Sequence, residues 1–156
     1  MNPANSALRL SPAGAAMIQN FEDSQGPALT AFKPTPNDVW TIGLGHTQGV
    51  YEGMTCTVEQ AQAWFMQDMA WAESAVLGSV MVPLNQNQFD ALVSFTENEG
   101  ATAFEESTLL RLLNAGNYGA ASAQFSRWVY QSGQILPGLV TRRQQEAALF
   151  NTPVSQ

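Results

Sequence analysis

Apolar residues are spaced along most of this chain with the period of a helix. Met17, Ile18 and Phe21 fall on one face behind Ser11-Pro12, which reads as a helix N-cap followed by a first-turn proline. The pattern predicts a short helix from Ala13 to about Phe21, with Glu22 at its last turn and Gly26-Pro27 ending it. Residues 1–10 read as a weak leader, anchored only where Leu8 or Leu10 finds a contact. The period then changes. Leu29, Ala31 and Phe32 suggest a strand, Lys33-Pro34-Thr35-Pro36-Asn37-Asp38 a turn, and Val39 to Leu44 a returning strand. The expected outcome is a small β-hairpin or three-stranded sheet.

Helical spacing returns at Thr57. Thr57-Val58-Glu59-Gln60 has the form of a capping box. Behind it Ala61, Trp64, Phe65, Asp68, Trp71, Ala72, Ala75 and Val76 recur every 3.6 residues, which predicts one long helix to about Leu77 with both tryptophans on its core face. Asn85 opens the next helix, with Phe89, Leu92, Val93 and Phe95 inward and an end near Asn98-Glu99-Gly100. A short turn at Ala101–Phe104, helices over Thr108–Leu113 and Tyr118–Trp128, a loop bracketed by Gly133 and Pro137-Gly138, and a last helix from Leu139 to Phe150 complete the reading. The sum is an α+β chain: a small antiparallel sheet near the N-terminus, then a cluster of helices. A sheet lobe at about 22–56, a linking helix at 57–77 and a helical lobe at 84–150, with helix 12–21, fit one domain of 156 residues. A cleft between such lobes is the expected place for a ligand.

Composition narrows the function. Hydrophobic residues make up 45% and charged ones 12%, so the chain folds rather than staying disordered. Its net charge is −7, from 13 acidic and 6 basic residues. Nucleic acid needs a basic stripe to neutralise phosphates, and an anionic membrane surface needs the same. Arg142-Arg143 is the only adjacent basic pair, so neither is an expected partner. Cys56 is the single cysteine, which excludes an internal disulfide, and with one histidine no zinc cluster forms; no cofactor or metal is expected. No apolar run approaches a membrane span, and the N-terminal stretch lacks the pattern of a signal peptide because Ser11-Pro12 and Gly14 interrupt it. The expectation is a cytoplasmically made monomer. A target outside the membrane would then require release by something else.

Chemistry concentrates in two short segments. Glu22 follows Phe21 at an apolar helix end, facing the hairpin, and a carboxyl sheltered this way favours its neutral form, as a general acid requires. A solvated acid at a helix end is the plain alternative. Thr41 lies just past the turn, where a hydroxyl holds water by donating and accepting, or is simply β-branched strand filler. Gly43-Leu44-Gly45 lacks the lysine of a phosphate loop and the third glycine of a dinucleotide fingerprint. His46 reads as a hydrogen-bonded structural histidine.

Phe21-Glu22, the hairpin and Trp40-Thr41-Ile42-Gly43-Leu44-Gly45-His46-Thr47 together resemble the phage-type lysozymes, glycoside hydrolase family 24. Val82-Pro83-Leu84-Asn85-Gln86-Asn87-Gln88-Phe89, Ser107-Thr108-Leu109-Leu110, Leu113-Asn114-Ala115-Gly116 and Leu136-Pro137-Gly138-Leu139-Val140-Thr141-Arg142-Arg143 extend the resemblance into its lambdoid-phage endolysin branch, from about Ser11 to Phe150. The resemblance implies a lysozyme-like fold and hydrolysis of the β-1,4 bond between N-acetylmuramic acid and N-acetylglucosamine in peptidoglycan. By its pattern Glu22 matches the proton donor and Thr41 the residue that places water. It also implies a basic residue of the last helix near the cleft. Arg142 or its neighbour Arg143 is the candidate, although on spacing alone an i,i+4 pair of Arg142 with Glu146 fits better.

The family's aspartate is where the sequence departs. It usually stands six residues before the threonine, and here that position is Thr35. Asp23 replaces the glycine that commonly follows the catalytic glutamate, and the interval from Glu22 to Thr41 is longer than usual. Asp38 is the only acid of the hairpin and takes the role if the longer turn folds it back; inversion by water places the second carboxylate about 6.5–9.5 Å from the acid. If Asp38 points to solvent, three readings stay open. One is a slow hydrolase in which Thr35 and Thr41 hold the water. The second is a lytic transglycosylase using Glu22 alone, and the third a catalytically weak peptidoglycan-binding protein.

Overall fold

The computed structural model describes residues 1–22 and 26–154. Asp23, whose place after Glu22 departs from the family pattern, lies outside the described residues. The architecture is α+β: an antiparallel hairpin near the N-terminus, a long helix in two segments, and a mainly helical C-terminal portion. By its internal contacts the chain divides into two compact units, Ala15–Ala70 and Met1–Gly14 together with the chain from Trp71 onward.

The Ala15–Ala70 unit holds most of helix α1 (Pro12–Glu22), strands β1 (Ala28–Phe32) and β2 (Thr41–Gly43), and helix α2 (Val58–Asp68). The strands pair with Phe32 opposite Thr41 and Ala28 opposite Gly43, with an irregularity between. The returning strand is shorter than expected: Val39 is 64% exposed, and pairing begins only at Thr41. A further segment runs beside β1, where the Ala31 amide donates to the Met54 carbonyl and the Cys56 amide to that of Leu29. α2 opens on the expected capping box between Thr57 and Gln60 and packs on both strands. Gly43 marks the closest approach. It adopts φ +65°, and a Cβ there would sit 3.1 Å from that of Ala61. Ile18, Ile42, Ala61 and Phe65 form the unit's core.

The long helix is interrupted. α2 stops at Asp68 and α3 (Ala70–Ser79) resumes after Met69, whose amide reaches both the Phe65 and Gln67 carbonyls. Trp64 meets expectation by packing, but Trp71, just beyond the break, does not: it is 47% exposed.

The second unit is built on α4 (Gln86–Glu99) and α8 (Pro137–Phe150), which pack together. Asn85 and Gln88 form the N-terminal capping box of α4, and Phe89, Leu92, Val93 and Phe95 are fully buried as the pattern requires. Phe95 meets Phe104, Phe125 and Trp128 edge-on, with ring centroids 5.3–6.2 Å apart. Between α4 and α8 lie α5 (Ala101–Glu105), α6 (Thr108–Asn114) and α7 (Tyr118–Ala123). α5 takes the place of the expected turn. The helix expected to run to Trp128 ends at Ala123 and tightens into a 3₁₀ turn at Phe125–Arg127. The loop that follows is a second hairpin, β3 (Tyr130–Gln131) with β4 (Gln134–Ile135), turned by Ser132 and Gly133 at positive φ.

The leader is tied down by polar groups. Asn5 is fully buried, donating to the Val82 carbonyl and accepting from the Leu84 amide. The Leu10 amide donates to Glu73, and Leu10 itself is buried. Ser11 caps α1 through the Gly14 amide while its own amide and hydroxyl donate to Asp90.

Candidate active site

A cavity of about 200 Å³ lies within the Ala15–Ala70 unit, and both Glu22 and Thr41 line it. Helix α1 delivers Glu22 from its last turn, together with Gln19 one turn earlier. The hairpin delivers Thr41 and, opposite it in register, Phe32. Pro34 and the Gly43-Leu44-Gly45 segment complete the wall. Glu22 remains exposed as a residue, so the shelter expected from Phe21 is incomplete. Phe32, Pro34 and Leu44 supply the apolar side chains of the cavity wall.

Thr41 is 8% exposed, and its Oγ1 donates to the Val39 carbonyl at 3.1 Å. That bond uses the hydroxyl's only proton. Towards the cavity Thr41 can therefore accept a hydrogen bond but not give one. A water seated on it would donate to Oγ1 and keep its own lone pairs for other partners.

Asp38 is not brought to this wall. One carboxylate oxygen accepts from both the Thr35 amide, at 3.1 Å, and the Thr35 hydroxyl, at 2.9 Å, and the Asp38 amide returns a bond to the Thr35 carbonyl. The turn is closed on itself, with its residues exposed, and neither Thr35 nor Asp38 is among the described residues lining the cavity. The physical reason is local. An aspartate three residues after a threonine satisfies that residue's amide and hydroxyl at little entropic cost. Lys33 adds a clasp at the base of the turn, with its ammonium 5.2 Å from the Trp40 ring centre.

His46 is held on three sides. Its Nδ1 is 2.8 Å from an Asp68 carboxylate oxygen, its ring stacks on Trp64 at 4.7 Å, and its backbone exchanges two hydrogen bonds with Ile42. It fixes the end of the hairpin against α2. Arg142 belongs to the other unit, where it is buried in an ionic cluster. It donates to Glu146 at 3.1 Å, to Glu97 at 2.8 Å and to the Ser94 carbonyl at 2.7 Å, so the i,i+4 pairing is present. Arg143 bridges Glu146 and Glu99 at 2.6 Å each and also bonds Asn98. Burial pushes the Glu146 carboxyl above its ordinary range; Arg143, a hydrogen bond from Ser94, and Arg142 pull it partly back.

Gln19, Phe32, Pro34 and Leu44 escaped the sequence reading as site residues. The spacing of Gln19 to Glu22 was available as a signal. The position of Phe32 depends on strand register, which no local pattern specified. Among the described residues no group of three metal-ligating side chains converges.

Comparison with known proteins decides the family. The phage lysozyme family model matches residues 22–146. The chain belongs to the phage lysozyme family. It is 40% identical over 149 residues to the endolysin of Acyrthosiphon pisum secondary endosymbiont phage 1, covering 93% of this chain and 99% of that one. The endolysin of Salmonella phage P22 is 41% identical over 138 residues, covering 85% and 93%. Among solved structures, a P22 lysozyme variant superposes with a TM-score of 0.81 at 37% identity, covering 93% of this chain and 99% of that one. The muramidase domain of SpmX from Asticaccaulis excentricus gives 0.80 at 39% identity, covering 94% and 99%. The phage lysozyme fold thus extends over nearly the whole chain.

Proposed function

We propose that this phage lysozyme cleaves the β-1,4 bond between N-acetylmuramic acid and N-acetylglucosamine of peptidoglycan, with Glu22 protonating the departing sugar oxygen. The observation that carries this is the meeting of Glu22 and Thr41 on one cavity, delivered by separate elements. A bound sugar displaces water from this cavity, where Glu22 and Thr41 then face it together. Thr41 accepts a hydrogen bond from the attacking water and fixes its place. Replacing Glu22 with glutamine lowers the release of reducing ends from purified peptidoglycan by about 10²–10⁴-fold, the usual contribution of a general acid. Full activity in that variant overturns the assignment.

A second reading is favoured by the Thr35–Asp38 turn, which engages the only acid of the hairpin. The 6-hydroxyl of the muramic residue then takes the place of water. Glu22 gives its proton to the leaving oxygen, the glycosidic bond breaks as the C1–O6 bond forms, and the Glu22 carboxylate receives the hydroxyl proton. The product is a 1,6-anhydro sugar, one water lighter per cleaved bond than the hydrolytic product, so mass spectrometry of the digest separates the routes. In either case the protein works as a monomer on glycan strands of the cell wall, after release from the cytoplasm in which it is made. The naming of its relatives as endolysins supports that placement.

A further inference from the structure

Two side chains of the Glu22 cavity have no part in the proton transfer. Phe32 stands opposite Thr41 across the hairpin, so the two side chains share the face of the ribbon that meets the cavity. As a residue it is 42% exposed, too open to contribute much to a core. It offers flat apolar surface beside an acid and a hydroxyl. Gln19 lies one helical turn before Glu22 on the same face of α1. Its amide is held by Gln62 of α2: Gln19 Nε2 donates to Gln62 Oε1 at 2.9 Å, and Gln62 Nε2 donates back at 3.4 Å. A primary amide carries two N–H donors and two acceptor lone pairs, so this pairing leaves Gln19 one donor and one acceptor site for a third group. The pairing also settles in advance the rotamer entropy that a long surface side chain would lose on binding.

We propose that Phe32 and Gln19 form a subsite for an N-acetylated hexosamine ring next to the bond that is cleaved. The proposal rests on the cleavage reading above. A β-linked pyranose has axial C–H groups over its face and hydroxyl and acetamido groups round its rim. The Phe32 ring receives the C–H face, and the Gln19 amide bonds the acetamido or a hydroxyl at the rim. One contact fixes the height of the sugar and the other its rotation, and together they set the leaving oxygen against Glu22. Both residues act by holding substrate and neither moves a proton.

The test measures binding apart from chemistry. A soluble tetrasaccharide of alternating N-acetylglucosamine and N-acetylmuramic acid is titrated into the Glu22→Gln protein, and steady-state cleavage is followed with Glu22 in place. Phe32→Ala weakens binding and raises KM about tenfold, with kcat changed less than about threefold, the signature of contacts made equally in ground and transition states. Phe32→Tyr and Phe32→Trp stay within about threefold of the parent, while Phe32→Leu, which keeps apolar bulk without the ring, does not. Gln19→Leu weakens binding about fivefold, and Gln62→Leu gives a smaller loss in the same direction. Unchanged binding in Phe32→Ala, or full recovery in Phe32→Leu, overturns the subsite, as does a parent protein that fails to bind the tetrasaccharide. Binding that depends on Phe32 in a protein that never cleaves peptidoglycan leaves the subsite standing and removes the cleavage reading. Cleavage with a KM indifferent to Phe32 does the reverse.

Discussion

Asp38 and Thr41 show how one hydrogen bond decides what a side chain can do. Both stand on the hairpin within a few residues of each other, and each carries oxygen chemistry that suits a glycosidase. Thr41 Oγ1 spends its proton on the Val39 carbonyl and keeps its accepting side for the cavity. One carboxylate oxygen of Asp38 accepts twice from Thr35, and Asp38 is not among the described residues lining the cavity. Composition and spacing marked both, and only coordinates separate them, because competition among nearby backbone groups is settled by distances of a few tenths of an ångström. Gly14 shows the same sensitivity in packing. A Cβ there would lie 2.6 Å from Asp90 Cγ, and Asp90 is buried and engaged by Ser11 and Gln86, so it has little room to retreat. Gly14→Ala should lower unfolding free energy by about 1–3 kcal/mol, an overpacking cost, read from urea denaturation. A midpoint equal to that of the parent would mean that Asp90 yields without loss.

Between elements, the pairing of α4 with α8 rests on an apolar layer and an ionic cluster side by side. Phe95 packs against Phe104, Phe125 and Trp128, while the Arg143 guanidinium lies 5.0 Å from the Phe95 ring centre. Glu146 is fully buried between Arg142 and Arg143, and burial is the largest influence on its carboxyl, raising it from an ordinary 4.5. The native protein therefore keeps this proton at pH values where the unfolded chain has released it. Over that window the native state binds more protons, so the stability from Glu146 is complete below about pH 4.5 and declines as pH rises toward the native value. Glu146→Gln does not titrate. Urea unfolding across this range should show the parent losing stability relative to the glutamine variant. A parent curve that gains instead would mean that the ionised form, held by two arginines, is the stabilising one. The element boundaries were largely legible where side chains cap them: the box at Thr57, the helix start at Asn85 and the Ser11 cap stand where they were read. The break at Met69 and the β3–β4 hairpin were not legible. The first interrupts a period that the sequence continues, and the second is two residues per strand, too short for alternation to register.

For the molecule as a whole, charge sets how it meets its substrate. Bacterial walls are anionic, and a protein of net charge −7 is repelled from them at long range. Turbidity clearance of cell-wall suspensions should rise with added salt up to about physiological strength, where the Debye length falls to about 8 Å. A flat or falling profile would show that local contacts outweigh the net charge. Family and fold class were determined by the sequence alone, and it also singled out Glu22 and Thr41, which the structure sets on one cavity. The reason is that the linear signals behind them are local: a helix end with its acid, a hairpin with its glycines, and apolar residues at fixed periods. The tertiary structure decided the rest. It set Phe32 opposite Thr41, joined Gln19 to Gln62, exposed Trp71, buried Asn5 in the leader, and closed Asp38 onto Thr35. Each of these depends on register or on which of several nearby partners a polar group meets, and those are properties of the packed chain rather than of any short stretch of it.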